Sequence, residues 1–193
     1  MMSTTEFKIL GVAGSLRGGS YSTQALSLIL RNAEKHGAVV RLLELGKANL
    51  PMYGSGQVPE QVSSAVQWAD AFVLASPDYH GSMSGALKNF LDHFFEEFAG
   101  KLFGYVVASH EKGLTVMDQM RTVVRQCAGW SLPYGVSVNG EQDFSAGSLA
   151  SAKVDRRIKM TGRDLVVYGR LLKAQFQSDL AGTEAETFVA HYR

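Results

Sequence analysis

The sequence predicts an α/β protein, a three-layer α/β/α sandwich around a five-stranded parallel sheet. Five short apolar runs start 29 to 32 residues apart, near Phe7, Val39, Asp70, Leu102 and Ser131. A helical pattern of apolar residues fills each interval between them. Apolar strands that alternate with helices are typical of a parallel sheet covered on both faces. With 193 residues, the chain is expected to form one domain over residues 1–193.

The strands and helices follow from the spacing of apolar residues. In chain order, the predicted strands read FKILGVAG, VVRLLEL, DAFVLAS, LFGYVVAS and SLPYGVSV. The predicted helices are Thr23–Lys35, a segment that begins at Pro59, about 85–98, about 114–128 and Ser151–Gln175. A short last helix is indicated by the capping-box pattern Thr183-x-x-Glu186.

Composition and charge exclude several classes of function. The chain has 19 Lys and Arg against 18 Asp and Glu, a formal net charge of +1, and no run of like charges. A nucleic-acid or anionic-membrane binder is not expected, because such binding needs a basic face. Cys127 is the only cysteine, which excludes an internal disulfide and a cysteine-built zinc site. The histidines share no ligand spacing, so no metal site is predicted.

The first residues of the chain and the length of its apolar runs predict where the protein is located. The first residues, MMSTTEF, lack the charged and apolar regions of a signal peptide. No apolar run approaches the ~20 residues that span a bilayer. We therefore expect a soluble cytoplasmic protein without a membrane partner.

The loop after the first strand has the composition of a phosphate site. It reads GSLRGGSYST over residues 14–23 and leads directly into the first helix. Ligands of such sheets lie beyond the carboxyl ends of the strands, and the N–H groups and dipole of a helix start suit a phosphate dianion. Arg17 can add a bidentate ion pair. A Walker A lysine and a GxGxxG motif are both absent, which favours a terminal monophosphate; the alternative is a plain turn that caps the helix.

The loop after the third strand favours a planar ligand. It reads SPDYHGSMSG over residues 76–85. Pro77 ends the strand, Gly81 lets a ring approach the backbone closely, and Tyr79 offers a ring for packing. His80 is interpreted as polar lining or as an acid–base group. Together the two loops predict a flat cofactor with a phosphate tail, although an ordinary loop ended by Pro77 is the alternative here.

Two motifs in these loops resemble those of a known family. The residues Gly14-Ser15-Leu16-Arg17 and Ser20-Tyr21-Ser22 are similar to a G-S-x-R-x-x-S phosphate loop. Pro77-Asp78-Tyr79-His80, followed by Gly85-Ala86-Leu87-Lys88-Asn89-Phe90-Leu91-Asp92, is similar to a P-[ED]-Y-N…P-G-x-L-K-N-x-[IL]-D segment. Both patterns belong to the NADPH-dependent FMN reductases, a flavodoxin-like family that includes quinone, azo-dye and chromate reductases. The resemblance extends over about residues 7–138.

The resemblance implies a single flavodoxin-like, FMN-binding domain with NADPH or NADH as co-substrate. It implies that the FMN phosphate is held by Ser15, Arg17, Ser20, Tyr21 and Ser22. It further implies that the isoalloxazine ring is lined by Pro77, Asp78, Tyr79, His80 and Gly81, with Ser109 added from the loop after the fourth strand. No catalytic side chain is expected, because the cofactor carries the chemistry. The chain departs from the family pattern at His80, where Asn is usual, at Ser84, where Pro is usual, and in the loop 109–113, which lacks the usual glycine-rich turn.

The function predicted from these features is transfer of hydride from NAD(P)H through FMN to a quinone, free flavin or similar small-molecule acceptor. A flavodoxin-like electron carrier and an FMN-binding redox sensor without NAD(P)H turnover are the alternatives. A carrier that docks on basic partners is usually strongly acidic, unlike this chain. No charged cluster along the sequence indicates a site for a 2′-phosphate, so NADPH in place of NADH follows from the resemblance alone.

A homodimer or homotetramer through the helix at 85–98 is also expected. Four phenylalanines in nine residues, Phe90, Phe94, Phe95 and Phe98, exceed what one face of a sheet normally takes. The family resemblance supports the same expectation, and most soluble oligomers are symmetric homo-oligomers.

Overall fold

The computed structural model describes residues 6–193 and has a parallel sheet at its centre. Its strands are β1 (Phe7–Ala13), β2 (Ala38–Glu44), β3 (Ala71–Pro77), β4 (Leu102–Ala108), β5 (Trp130–Ser131) and β6 (Val136–Val138). They lie in the order β2-β1-β3-β4, and both β5 and β6 pair with the outer side of β4. Every one of these pairs is parallel. The predicted fold class is therefore confirmed; residues 1–5, which include most of the MMSTTEF segment, lie outside the described residues.

Helices cover both faces of the sheet. They are α1 (Tyr21–Lys35), α2 (Glu60–Trp68), α3 (Gly85–Asp92), α4 (Leu114–Gln126), α5 (Gly140–Asp143) and α6 (Ala152–Ala181). A two-stranded antiparallel hairpin, β7 (Phe144–Ser145) and β8 (Ser148–Leu149), lies between α5 and α6. Among residues 6–193, no helix is long and apolar enough to cross a membrane, and no three His, Cys, Asp or Glu side chains are grouped as metal ligands.

Alternate side chains of each central strand enter two separate cores. On β1, Leu10 and Val12 pack with α2, α3 and α4, whereas Ile9 and Ala13 pack with α1 and α6. These side chains are at most 1% exposed. Because both faces are covered, neither face needs polar residues, which explains the continuous apolar runs in the sequence.

The third helix is shorter than the predicted 85–98. It ends at Asp92, and a single 3₁₀ turn, Glu96–Phe98, follows after an irregular step. That step lets the Phe98 ring pack edge-on against Phe72 and Phe103 of the sheet, at 5.2 and 5.3 Å between ring centroids. Phe90 and Phe94 are buried as well, and of the four phenylalanines Phe95 alone is exposed, at 58%. Three of the four phenylalanines therefore fill the core, and Phe95 alone faces outward.

The last part of the chain also differs from the expectation. The fifth predicted strand is divided into β5 and β6, because Pro133 has no N–H for a sheet ladder. Helix α6 continues to Ala181, beyond the predicted end at Gln175. The capping-box pattern at Thr183 starts no helix; a 3₁₀ segment, Phe188–Tyr192, follows it instead.

Candidate functional site

A cavity of about 550 Å³ lies beyond the carboxyl ends of β1, β3 and β4. The loops after these three strands form most of its wall, and the segment after β6 completes it. Of the residues singled out from the sequence, Ser15, Arg17, Ser20, Tyr21, Ser22, Pro77, Asp78, Tyr79 and Ser109 line the cavity, whereas His80 and Gly81 do not. The two loops with sequence motifs therefore face one shared space, as their positions after parallel strands require.

The loop before α1 presents a set of hydrogen-bond donors. Ser20 caps the helix, its Oγ accepting from the backbone N–H of Thr23 at 3.3 Å and lying 3.1 Å from the Oγ of Ser22. The Oγ of Ser15 accepts from the backbone N–H of Arg17 at 3.2 Å. The guanidinium of Arg17 has no hydrogen bond or ion pair with any part of the described chain. Since the first N–H groups of a helix lack intrahelical acceptors, this donor set matches a phosphate dianion.

The start of this loop is tied to the start of α3 through Ser84. The Ser84 hydroxyl donates to the carbonyl of Gly14 at 2.7 Å and accepts from the N–H of Leu87 at 3.1 Å. A Cβ on Gly14 would lie 2.8 Å from the Cβ of Leu87 and 2.9 Å from the carbonyl oxygen of Ala75. Only glycine fits there. The serine that replaces the family's usual proline thus caps α3 and also fixes the first loop.

The loop after β3 closes in a tight turn. Tyr79 and Ser82 exchange backbone hydrogen bonds of 3.0 and 3.1 Å. Between them His80 and Gly81 both have positive φ, +56° and +77°, as a primed two-residue turn requires. The N–H of Gly81 donates to Oδ1 of Asp78 at 2.8 Å. His80 and Gly81 form the tip of this turn, which explains why the cavity is lined by the residues before them.

Two further side chains hold this turn from outside. The hydroxyl of Ser109, in the loop after β4, donates to Oδ2 of Asp78 at 2.8 Å. Gln119 of α4 accepts through Oε1 from the Ser82 hydroxyl at 3.1 Å and from the N–H of Met83 at 3.0 Å. Sequence reasoning did not single out Gln119, because a glutamine in an amphipathic helix is ordinarily a side chain on the solvent-facing side.

The remaining wall comes from a segment to which the sequence assigned no cofactor role. Gly140, Glu141, Phe144, Ala146 and Gly147 line the cavity opposite the first loop. The Tyr21 ring lies against Gly140, where a Cβ would come within 2.0 Å of Tyr21 Cδ2, and 5.3 Å from the Phe144 ring. The sequence carries no motif in this segment; in the structure Ala146 and Gly147 both have positive φ, which is typical of a hairpin turn.

The chain is similar in sequence to several known proteins. The family model of NADPH-dependent FMN reductases matches residues 7–143. Over 153 residues the chain is 30% identical to an FMN-dependent NADPH-azoreductase of Staphylococcus saprophyticus, which covers 71% of this chain and 79% of that protein. Over 94 residues it is 33% identical to an NAD(P)H-dependent FMN reductase of Pseudomonas aeruginosa, covering 45% and 49% of the two chains.

The fold is similar to those of solved flavoproteins. The crystal structure of an NADH:FMN oxidoreductase in its apo form has a TM-score of 0.72, at 18% identity, and covers 84% of this chain and 89% of that one. An identity this low supports the fold and nothing finer.

Proposed function

The chain belongs to the NADPH-dependent FMN reductase family, and from this premise we propose that it passes hydride from NAD(P)H through FMN to a quinone, free flavin or azo compound. When bound, FMN accepts hydride from a nicotinamide and returns electrons to the acceptor. Azo compounds join the candidate acceptors because relatives are named azoreductases. The protein has to hold the cofactor, orient it and leave one face of its ring accessible.

The observation that carries the proposal is one cavity formed by a phosphate-type loop and two loops suited to a flat ring. Ser15, Ser20 and the unpaired guanidinium of Arg17 supply the donors for the phosphate. Pro77 and Tyr79 supply apolar surface for the ring. A volume of about 550 Å³ lies within the range of about 300–1,000 Å³ that is usual for cofactor and ligand pockets.

The loops also offer a donor for the negative charge that a reduced flavin ring carries. The N–H groups of Asp78, Tyr79 and Ser109 already donate to backbone carbonyls, and that of Glu111 donates to Ser109 Oγ. The N–H of His110, which lines the cavity, has no acceptor within residues 6–193. We assign charge stabilisation to this N–H, because a preorganised donor there needs no rearrangement.

Asp78 has a positioning role in this proposal. Its two carboxylate oxygens accept from the Gly81 N–H and the Ser109 hydroxyl. Both oxygens are therefore engaged in holding the loops.

A visible absorption spectrum of the purified protein tests the function. FMN is added, excess is removed, and NADPH is introduced without oxygen. Bound flavin whose absorbance bleaches supports the reductase. Bound flavin that NADPH leaves unbleached favours the electron carrier or redox sensor, and failure to retain FMN contradicts the cofactor assignment.

A homodimer or homotetramer belongs to the proposal as well. Near the end of α3 the exposed large side chains are Phe95, Met52 and Tyr53, and the Tyr53 ring lies 5.5 Å from His93. Light scattering of the protein and of Phe95→Asp measures whether this surface holds two copies together.

A further inference from the structure

A second cavity, of about 840 Å³, adjoins the proposed cofactor cavity. It lies between α4, the first turns of α6 and the interrupted fifth strand. His110 lines both cavities, and the segment 139–143 separates them, with Gly140 facing the first cavity and Asn139 the second. An Asn139 Nδ2 hydrogen bond of 3.2 Å to the carbonyl of His110 joins the two parts of this wall. A ligand that enters the first cavity past His110 therefore has the second cavity beside it.

The second cavity is cationic. It is lined by five basic residues, Lys112, Arg121, Lys153, Arg156 and Arg157, and by two acidic ones, Glu111 and Asp143. Asp143 is engaged, since its Oδ2 accepts from the N–H of Asn139 at 2.7 Å. The sequence does not show the whole cluster, because Lys112, Arg121 and the first turns of α6 are separate segments that only the fold brings together.

Part of this positive charge is uncompensated. Arg121 forms an ion pair of 2.9 Å with Asp118. By contrast, Lys112, Lys153 and Arg156 have no ion pair with any residue between 6 and 193. Lys153 and Arg156 are three residues apart on α6, so they extend from the same side of the helix. A phosphate at this position would gain charge-assisted hydrogen bonds and the favourable dipole of the helix start.

A neutral ring forms another part of the wall. The guanidinium of Arg157 lies over the ring of Tyr134, 4.9 Å from its centroid. The Tyr134 hydroxyl donates to Oδ2 of Asp164 at 2.5 Å. Burial, together with this hydrogen bond, raises the pKa of Tyr134 well above its ordinary value, so the ring stays neutral. A flat ring beside cations suits an aromatic base that carries phosphates.

We propose that this second cavity binds the adenosine half of NADPH, with Lys153 and Arg156 at its 2′-phosphate, and that it makes the protein select NADPH over NADH. The inference rests on the proposed function, since a nicotinamide that stacks on the flavin has to place its phosphate-bearing half beside the first cavity. Arginine suits a 2′-phosphate because its planar fork binds two oxygens at once.

Binding of a ligand fragment tests the site without any turnover. FMN-loaded protein is titrated calorimetrically with adenosine 2′,5′-bisphosphate and, separately, with adenosine 5′-monophosphate. We expect the bisphosphate to bind about tenfold or more tightly than the monophosphate, because one charge-assisted contact contributes at least that factor. Lys153→Ala and Arg156→Ala should each weaken bisphosphate binding about tenfold and leave the monophosphate nearly unchanged.

Lys159→Ala is the matched control. Lys159 lies on the same helix and is paired with Asp155 at 2.6 Å, and it does not line the cavity. In steady-state assays Arg156→Ala should raise KM for NADPH about tenfold with little change in kcat or in KM for NADH. Equal binding of the two fragments, or equal effects of Lys159→Ala and Arg156→Ala, would overturn the proposal.

The flavin spectrum of the same samples separates this inference from the proposed function. If NADPH bleaches the flavin but the variants bind the bisphosphate normally, the site assignment is wrong and the reductase function stands. If the wild-type flavin resists NADPH, the reductase function fails, whereas selective binding of the bisphosphate would still support the site.

Discussion

The hydroxyl of Ser109 donates a 2.8 Å hydrogen bond to the carboxylate of Asp78. This contact joins the loop after β4 to the loop after β3, two segments that are 31 residues apart in sequence. The other oxygen of Asp78 accepts from the N–H of Gly81. One carboxylate therefore sets both the separation of the two loops and the turn at the tip of one of them.

Asp78→Ala and Ser109→Ala should each weaken FMN binding by about tenfold, because each removes a hydrogen bond to a charged group. The double variant should lose little more than Asp78→Ala alone, since the Ser109 hydroxyl acts through the same carboxylate. Fluorescence titration of FMN gives the four dissociation constants of this cycle. Strictly additive losses would contradict a shared positioning role.

Arg17→Ala should weaken FMN binding by about 10–150-fold, which corresponds to about 1.5–3 kcal/mol for a charge-assisted phosphate contact. Arg31→Ala on the exposed side of α1 is the control, and we expect it to leave the affinity unchanged. Equilibrium dialysis with FMN and with riboflavin sharpens the test. Riboflavin lacks the phosphate, so its affinity should be insensitive to Arg17.

Gly140→Ala should lower both stability and FMN affinity. Its Cβ would stand 2.0 Å from a Tyr21 ring atom, and overpacking of this kind costs about 1–3 kcal/mol. Urea unfolding measures the loss of stability. Gly85→Ala, where an added Cβ has open space, serves as the control.

A second substitution identifies the cause of that loss. If the collision with Tyr21 is responsible, Tyr21→Ala in the Gly140→Ala background should recover part of the stability. If stability does not recover, the loss is caused by the backbone conformation at Gly140 and not by the collision with Tyr21.

Lys101 should make stability rise with pH in the mildly alkaline range. Its ammonium lies 5.4 Å from the centroid of the Phe72 ring, and burial lowers its pKa from 10.5 to about 8 despite the nearby carboxylates of Asp70 and Glu97. Between these two values the unfolded chain binds more protons than the folded one, so the free energy of unfolding increases with pH. Above about pH 10 the effect is opposed by Tyr105, whose pKa burial raises to about 12.

Urea unfolding of wild type and Lys101→Met at about pH 7.5 and about pH 9.5 checks this. We expect wild type to gain stability relative to the variant, by on the order of 1–2 kcal/mol, over that interval. The same comparison with Lys47→Met, an exposed lysine, should show no such gain. A flat difference for Lys101→Met would place its ammonium in solvent.

The loops with sequence motifs could be recognised because each is a continuous stretch. The neighbouring residues indicate what these loops contain: serines and Arg17 stand at a helix start, and Pro77 stands at the end of an apolar strand. Parallel strands also bring their carboxyl ends to one edge, so two such loops had to meet. The family resemblance drawn from them is confirmed by the match over residues 7–143.

Features that depend on contacts between residues far apart in the sequence could not be predicted from local patterns. Periodicity continued the third helix to Phe98, whereas packing on Phe72 and Phe103 ends it at Asp92. Helical spacing describes neighbours along the chain, and it contains no information about how much ring surface the opposing sheet can accept.

Local chemistry in the sequence was sufficient for the layer order, the family and nine of the residues that line the proposed cofactor cavity. The tertiary structure was needed for the part of the cavity wall at 140–147, for the hydrogen bonds of Gln119 to the loop after β3, and for the basic cavity lined by Lys112 and Arg156. These side chains come from segments with no motif of their own. Their proximity follows from the docking of α4, α6 and the divided fifth strand on the sheet edge, and this docking reflects the summed burial of many residues.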